Sequence, residues 1–164
     1  MFANDGYRPN VGIIICNNKG QVFWARRVKR DGWQFPQGGV SRDESLISAM
    51  YRELYEETGI SQDQVQLVAH TKSWLHYDLP RKFLRPQRRR MKHRPKFKGQ
   101  KQVWFLLQLL EDDSVVDLRG GIETPEFDTW RWVETKFALD NIVDFKRSVY
   151  RKALSELSQY LPTS

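Results

Sequence analysis

"GGVSRDESLISAMYRELYEETGI", Gly38 to Ile60, changes character twice within 23 residues. It opens on a glycine pair, continues with apolar residues at helical spacing, and closes on three glutamates and a glycine. Leu46, Ala49, Met50 and Leu54 form a stripe that predicts an amphipathic helix laid against a sheet. Ser41 and Glu44 stand at capping-box spacing, which would put acidic residues in the first turn, and Gly59 is placed to end the helix. The Gly38-Gly39 pair permits a tight approach into that helix, and an ordinary turn would use it equally well.

Glu53, Glu56 and Glu57 are spaced so that all three project to one side of the helix. Each exposed like-charge pair costs a few tenths of a kcal/mol, roughly. The helix dipole adds to the cost, because the three lie near its C-terminus. Arg52 offsets only part of this. A bound Mg²⁺ or Mn²⁺ would account for the cluster, since hard cations use all-oxygen sites. A solvated helix face is the alternative reading, because glutamate is a good helix former.

Working outward, "NVGIIICNN" reads as a strand, "NNKG" as a turn and "QVFWARRV" as a second strand. "RDGWQFPQGG" reads as a glycine-punctuated connection in which Pro36 opposes a helix. "VQLVAHTKSWLHYDL" and "KQVWFLLQLL" predict further strands, the latter central in a covered sheet. "TWRWVET" is a short strand candidate and "DFKRSVYRKALSELSQYL" a closing helix. One layered α/β or α+β domain over residues 1–164 follows, and 164 residues with 40% hydrophobic content suffice for its core.

Composition narrows the classes of function. The single cysteine, Cys16, excludes an internal disulfide and reads as a buried thiol in a reducing compartment. There is no apolar run long enough to cross a bilayer and no signal-like start, so no membrane association and a cytoplasmic location are expected. His70, His76 and His93 lack companion cysteines at zinc-ligand spacing, and no P-loop is present.

The net charge of +7 is local. Residues 79–110 hold eleven of the 27 Lys and Arg and none of the 20 Asp and Glu, leaving the rest of the chain acidic. Arg81, Lys82, Arg85, Arg88, Arg89, Arg90, Lys92, Arg94, Lys96, Lys98 and Lys101 would attract a polyanion over several phosphates. With Pro86 and Pro95 among them and Pro80 just before, the segment at about 82–98 is expected to be a long basic loop. A solvated loop is the plainer alternative.

The stretch 38–60 also resembles a known signature: glycine, five residues, Glu44, seven residues, then Arg52-Glu53-Leu54-x-Glu56-Glu57-x-Gly59-Ile60. It matches that of the Nudix hydrolases at every defined position. The resemblance implies a Nudix-type α/β/α sandwich with a mixed β-sheet, and hydrolysis of a phosphoanhydride with Mg²⁺ or another divalent cation such as Mn²⁺. It implies metal coordination by Glu53, Glu56 and Glu57, one of the first two also handling the attacking water. Arg52 and Glu44 would brace the helix. Glu126 in "TPEFDTWRW" resembles the distal metal-binding glutamate of the family, with Asp128 as the alternative.

Other segments, including "DGYRPNVGIIICN", "WQFPQGG" and "IVDFKRSVYRKAL", resemble the bacterial RNA pyrophosphohydrolases within that family. The resemblance implies as substrate the single-stranded 5′ end of RNA carrying a triphosphate or diphosphate. It places Arg8, Arg27 and Tyr77 near the phosphates and Phe145 and Lys146 at an RNA base. Arg85, Arg88, Arg89, Arg90, Lys92 and Arg94 would attract RNA from the periphery. Diadenosine tetraphosphate and related dinucleoside polyphosphates are the alternative substrates. No protein activator is indicated.

Overall fold

The structure is a computed structural model and describes residues 5–29, 32–84, 97–119 and 124–163. At its centre β1 (Tyr7–Cys16) and β7 (Gly99–Leu109) run parallel and stay in register from Tyr7 opposite Gly99 to Cys16 opposite Gln108. Both strands are covered on both faces over most of their length, and residues 11–16 and 103–107 within them are apolar throughout. β2 (Val22–Arg27) lies antiparallel beside β1 and carries β3 (Trp33–Gln34) and β8 (Phe127–Val133). β4 (Gln37–Gly39) pairs antiparallel with β1. On the far side β5 (Val65–His70) and β6 (Leu75–Asp78) both pair antiparallel with β7. The sheet is therefore mixed, as expected.

Alternation along the central strands divides the core in two. Val11, Ile13, Ile15, Phe105 and Leu107 face α1 (Leu46–Thr58), which contributes Ala49, Met50 and Leu54. Ile14, Cys16, Trp104 and Leu106 face α4 (Asp144–Leu157), which contributes Val149, Tyr150, Ala153 and Leu154. Full burial of a side chain such as Met50 or Leu54 contributes roughly 1.5–3 kcal/mol. Cys16 is buried and unpaired, and burial pushes its thiol up to about 11, so it acts as a small apolar side chain.

Several expectations need correction. The helix does not start from a Ser41–Glu44 box. Ser45 caps it, its hydroxyl accepting from the Ser48 N–H at 3.1 Å, and the first turn contains no acid. Ser41 and Glu44 form a separate turn in which the Ser41 N–H donates to Glu44 Oε1 at 3.0 Å. Glu44 is held there by Arg52, as described below. The "RDGWQFPQGG" connection contains no helix among its described residues, and within it lie two short strands that were not foreseen, β3 and β4, with the Pro36 carbonyl between them accepting from the Ile13 N–H at 2.9 Å.

A short helix α3 (Thr135–Asn141) precedes α4 and was not foreseen. The basic segment begins with one helical turn, α2 (Arg81–Leu84). Arg85, Arg88, Arg89, Arg90, Lys92 and Arg94 lie outside the described residues. Lys101 is turned inward: it is 3% exposed, pairs with Asp5 at 3.2 Å, and lies over the Trp74 ring. It is not part of an open cationic surface. No helix among the described residues is long and apolar enough to cross a membrane.

Candidate active site

Gly59 ends α1 with φ +74°, and its N–H donates to the Tyr55 carbonyl at 2.9 Å, the left-handed close that glycine permits. The last turns of the helix thereby present Glu53, Glu56 and Glu57 to a pocket of about 290 Å³. Arg27, Gln34, Gln37, Gly38, Thr124 and Glu126 complete its lining. Four strand ends or loops and one helix thus meet at a single depression. A larger, mostly apolar pocket of about 490 Å³ opens beside the start of α1, between Ile47, His70, Trp74 and Phe105, and contains none of these carboxylates.

Arg52 organises the acidic side. Its Nε and Nη2 donate to Glu44 at 2.7 and 2.8 Å, and Nη2 also reaches the Gly39 carbonyl at 2.9 Å. Its Nη1 donates to Glu53 at 2.9 Å and Glu56 at 3.3 Å. The guanidinium fork is what allows one residue to tie the loop to the helix. Hydrogen bonds from Arg52 hold the Glu44 carboxyl down at about 2. Arg52→Lys keeps the charge but cannot span these acceptors, so Mn²⁺ affinity is expected to fall by about 10- to 100-fold in calorimetric titration.

Glu57 is in a different condition. It is 4% exposed, and neither carboxylate oxygen has a hydrogen-bond partner. Burial, followed by the charges of Glu53 and Glu126, raises its carboxyl well above the usual range. The Gln37 backbone N–H acts in the opposite sense without reaching good hydrogen-bond geometry. Burial also raises Glu53, with Arg52 opposing the shift. Among the described residues no three of these acids are drawn into a closed metal cage. Yet an orphaned buried carboxylate with three further glutamates lining the same pocket is the donor set a hard divalent cation requires, so Glu53, Glu56, Glu57 and Glu126 fit Mg²⁺ or Mn²⁺.

The remaining expected residues fall into two groups. Glu126 lines the pocket, whereas Asp128 is engaged by Arg26 through two contacts of 2.9 and 3.1 Å. Arg27 lines the pocket with its Nε buried, without a hydrogen bond and 3.7 Å from Glu126. Gly38 lies against the Glu53 carboxylate, and Gly39 lies against the Arg8 guanidinium, both too closely for any side chain.

Tyr77, Phe145 and Lys146 form an adjoining group outside the pocket lining. Tyr77 is buried, its hydroxyl donates to Gln100 at 2.9 Å, and its ring lies 5.8 Å from that of Phe145. Lys146 is 6% exposed and donates to Gln34 at 3.1 Å, which joins this group to the pocket. Sequence reasoning missed Gln34, Gln37 and Thr124. Only their place beside Pro36, Gly38 and Pro125 hinted at them.

The pocket, lined by four glutamates and one arginine, thus lies at the end of a helix packed on a mixed sheet. The family model described as NUDIX domain matches residues 6–153, and the chain belongs to the Nudix family. It is 55% identical over 158 residues to an RNA pyrophosphohydrolase of Xylella fastidiosa strain Temecula1, covering 96% of this chain and 80% of that protein. It is 50% identical over 161 residues to an RNA pyrophosphohydrolase of Hahella chejuensis, covering 98% and 96%. The fold is shared with the E. coli dihydroneopterin triphosphate pyrophosphohydrolase, with TM-score 0.68, 18% identity and coverage of 89% and 95%.

Proposed function

We propose that this chain is a single-domain, cytoplasmic RNA 5′ pyrophosphohydrolase that converts triphosphorylated or diphosphorylated 5′ ends to monophosphates. The observation that carries the chemistry is Glu57, whose buried carboxylate has neither a hydrogen bond nor an ion pair to compensate its burial. Such a group is retained where a cation is to be held. The names of the Xylella and Hahella relatives support the substrate.

Glu53, Glu56, Glu57 and Glu126 would hold a divalent cation, which would neutralise charge at the phosphoanhydride oxygens. The chain's own residues then have distinct tasks. Arg27, with its Nε free of hydrogen bonds at the pocket wall, grips a phosphate oxygen, and the exposed Arg8 at Gly39 reaches the same phosphates from the β1 side. Glu53 or Glu56 orients the attacking water and takes its proton. In-line attack on phosphorus expels the outer phosphates and leaves a 5′-monophosphate. Phe145, half-buried against Tyr77, offers a face for a base of the same strand, and Lys146 keeps that wall in place through Gln34. The basic residues 85–94 would draw the rest of the strand and make binding salt-dependent.

With Mg²⁺ present, the protein is expected to convert 5′-triphosphorylated RNA with a kcat/KM at least about tenfold above that on diadenosine tetraphosphate. An inert RNA terminus under conditions that cleave the dinucleotide would move the assignment to the alternative substrate.

A further inference from the structure

A buried chain of amides ends at the pocket. Trp104, at the middle of β7, has an indole N–H that can only donate, and it donates to Gln102 Oε1 at 3.1 Å. That contact decides which way round the Gln102 amide lies. Its Nε2 must then be the atom that reaches Asn10 Oδ1 at 2.7 Å and Gln37 Oε1 at 3.4 Å. Gln102 and Asn10 are 1% and 2% exposed, so neither can turn to water for another partner. Gln37 stands at the start of β4, opposite Gly12, and lines the carboxylate pocket.

With its oxygen committed inward, Gln37 has only N–H groups left to present. Those N–H groups belong to a residue that lines the pocket. Gln34 is treated in the same way from the opposite side. The Lys146 ammonium, also a donor only, occupies Gln34 Oε1 at 3.1 Å. Two donor-only groups in the core thus turn two glutamine amides so that their nitrogens are left for the pocket both residues line. A surface glutamine could present either end of its amide to a ligand; these cannot without leaving a buried polar atom unpaired.

The geometry points to Gln37 as a donor to the phosphate oxygens of the substrate, held nitrogen-first by a relay that runs from Trp104 through Gln102. Gln37 is the substrate-binding residue, and Gln102 acts through it as a positioning residue. The inference rests on the phosphoanhydride reading given above. RNA 5′ ends and dinucleoside polyphosphates present the same oxygens, so the test runs on whichever the wild-type protein turns over. Failure of the RNA assignment is read from wild type alone, and failure of the relay from the variants.

Gln37→Glu replaces the donor by an acceptor of the same shape and is expected to lower kcat/KM by about 10- to 100-fold. Gln102→Glu keeps the acceptor that Trp104 needs but can no longer donate to Gln37. Gln37 then turns its nitrogen inward and offers its oxygen to the phosphate, with a loss of the same order. The two losses are expected not to multiply in the double variant. Wild-type kcat/KM in Gln37→Glu overturns the donor role. Wild-type kcat/KM in a folded Gln102→Glu, or multiplying losses in the double variant, overturns the relay. Should Gln102→Glu not fold, Trp104→Phe removes the pinning donor while keeping an aromatic ring. A fall in kcat/KM of about threefold or more supports the relay there, and an unchanged value overturns it.

Discussion

Glu57→Gln is expected to lower turnover by about 10³-fold or more while making the metal-free protein more stable. The loss follows from removing a carboxylate from the proposed cation site, which forfeits roughly several kcal/mol of transition-state stabilisation. The gain follows from the same burial. Glu57 is 4% exposed and neither oxygen has a partner, so folding must either bury the charge or protonate the group. Its folded carboxyl is raised well above the ordinary range by burial and by Glu53 and Glu126. Native protein therefore holds a proton that the unfolded chain releases, and stability is lost as pH rises from the unfolded carboxyl range through the folded value. Glutamine has no such proton to lose.

The difference in melting temperature between Glu57→Gln and wild type is expected to widen with rising pH. Relief of about 1–3 kcal/mol corresponds to a shift of several degrees for a chain of this length. Saturating Mn²⁺ should reverse the order, because only wild type gains the full binding energy. Thermal melts with and without Mn²⁺ across that pH range check both halves. A destabilised metal-free Glu57→Gln would refute the account of why this carboxylate is costly.

Gly38→Ala carries the second large effect, and by a different route. A methyl group at Gly38 would occupy the space of the Glu53 carboxylate. The obstacle is the far end of a flexible side chain, so the fold can yield without moving backbone. The expected destabilisation is about 1 kcal/mol, at the low end for overpacking. Function cannot yield in the same way. Displacing Glu53 breaks its 2.9 Å contact with Arg52 and takes one carboxylate out of the site. A misplacement of this kind costs about 10²-fold in kcat/KM. Calorimetric Mn²⁺ titration and initial rates, set beside a melting temperature within a few degrees of wild type, check the separation. Full activity in Gly38→Ala would mean that Glu53 does not need its present position.

Much of the fold was legible because its signals are periodic. A β-branched apolar run marked β1, strong apolar content marked β7, and the stripe Leu46, Ala49, Met50 and Leu54 marked α1 before any partner was known. What escaped is non-local. β3 and β4 are two and three residues long, too short to show a period, and exist only because β2 and β1 offer them ladder partners. Ser41 and Glu44 looked like a helix cap, but Arg52, eight residues further on, draws Glu44 away from that task. Lys101 belonged to a row of positive charges by sequence and to an inward ion pair by structure.

The candidate site divides along the same line. Glu53, Glu56 and Glu57 could be read together from spacing alone, because a helix brings residues three and four apart to one side whatever surrounds it. Which of them would be buried could not be read, since that depends on the sheet beneath. Spacing also left Glu126 and Asp128 as equals; only the pairing of β8 with β2 gives Asp128 to Arg26 and leaves Glu126 at the pocket. By itself, then, the sequence determined the helix, its carboxylate face and the family of chemistry, all of which rest on local periodicity and a contiguous signature. Tertiary structure decided the orphaned Glu57, the reach of Arg52 across the loop and the inward-turned amides of Gln34 and Gln37. Those properties depend on what lies opposite each side chain across the sheet, and no spacing along a single chain encodes that.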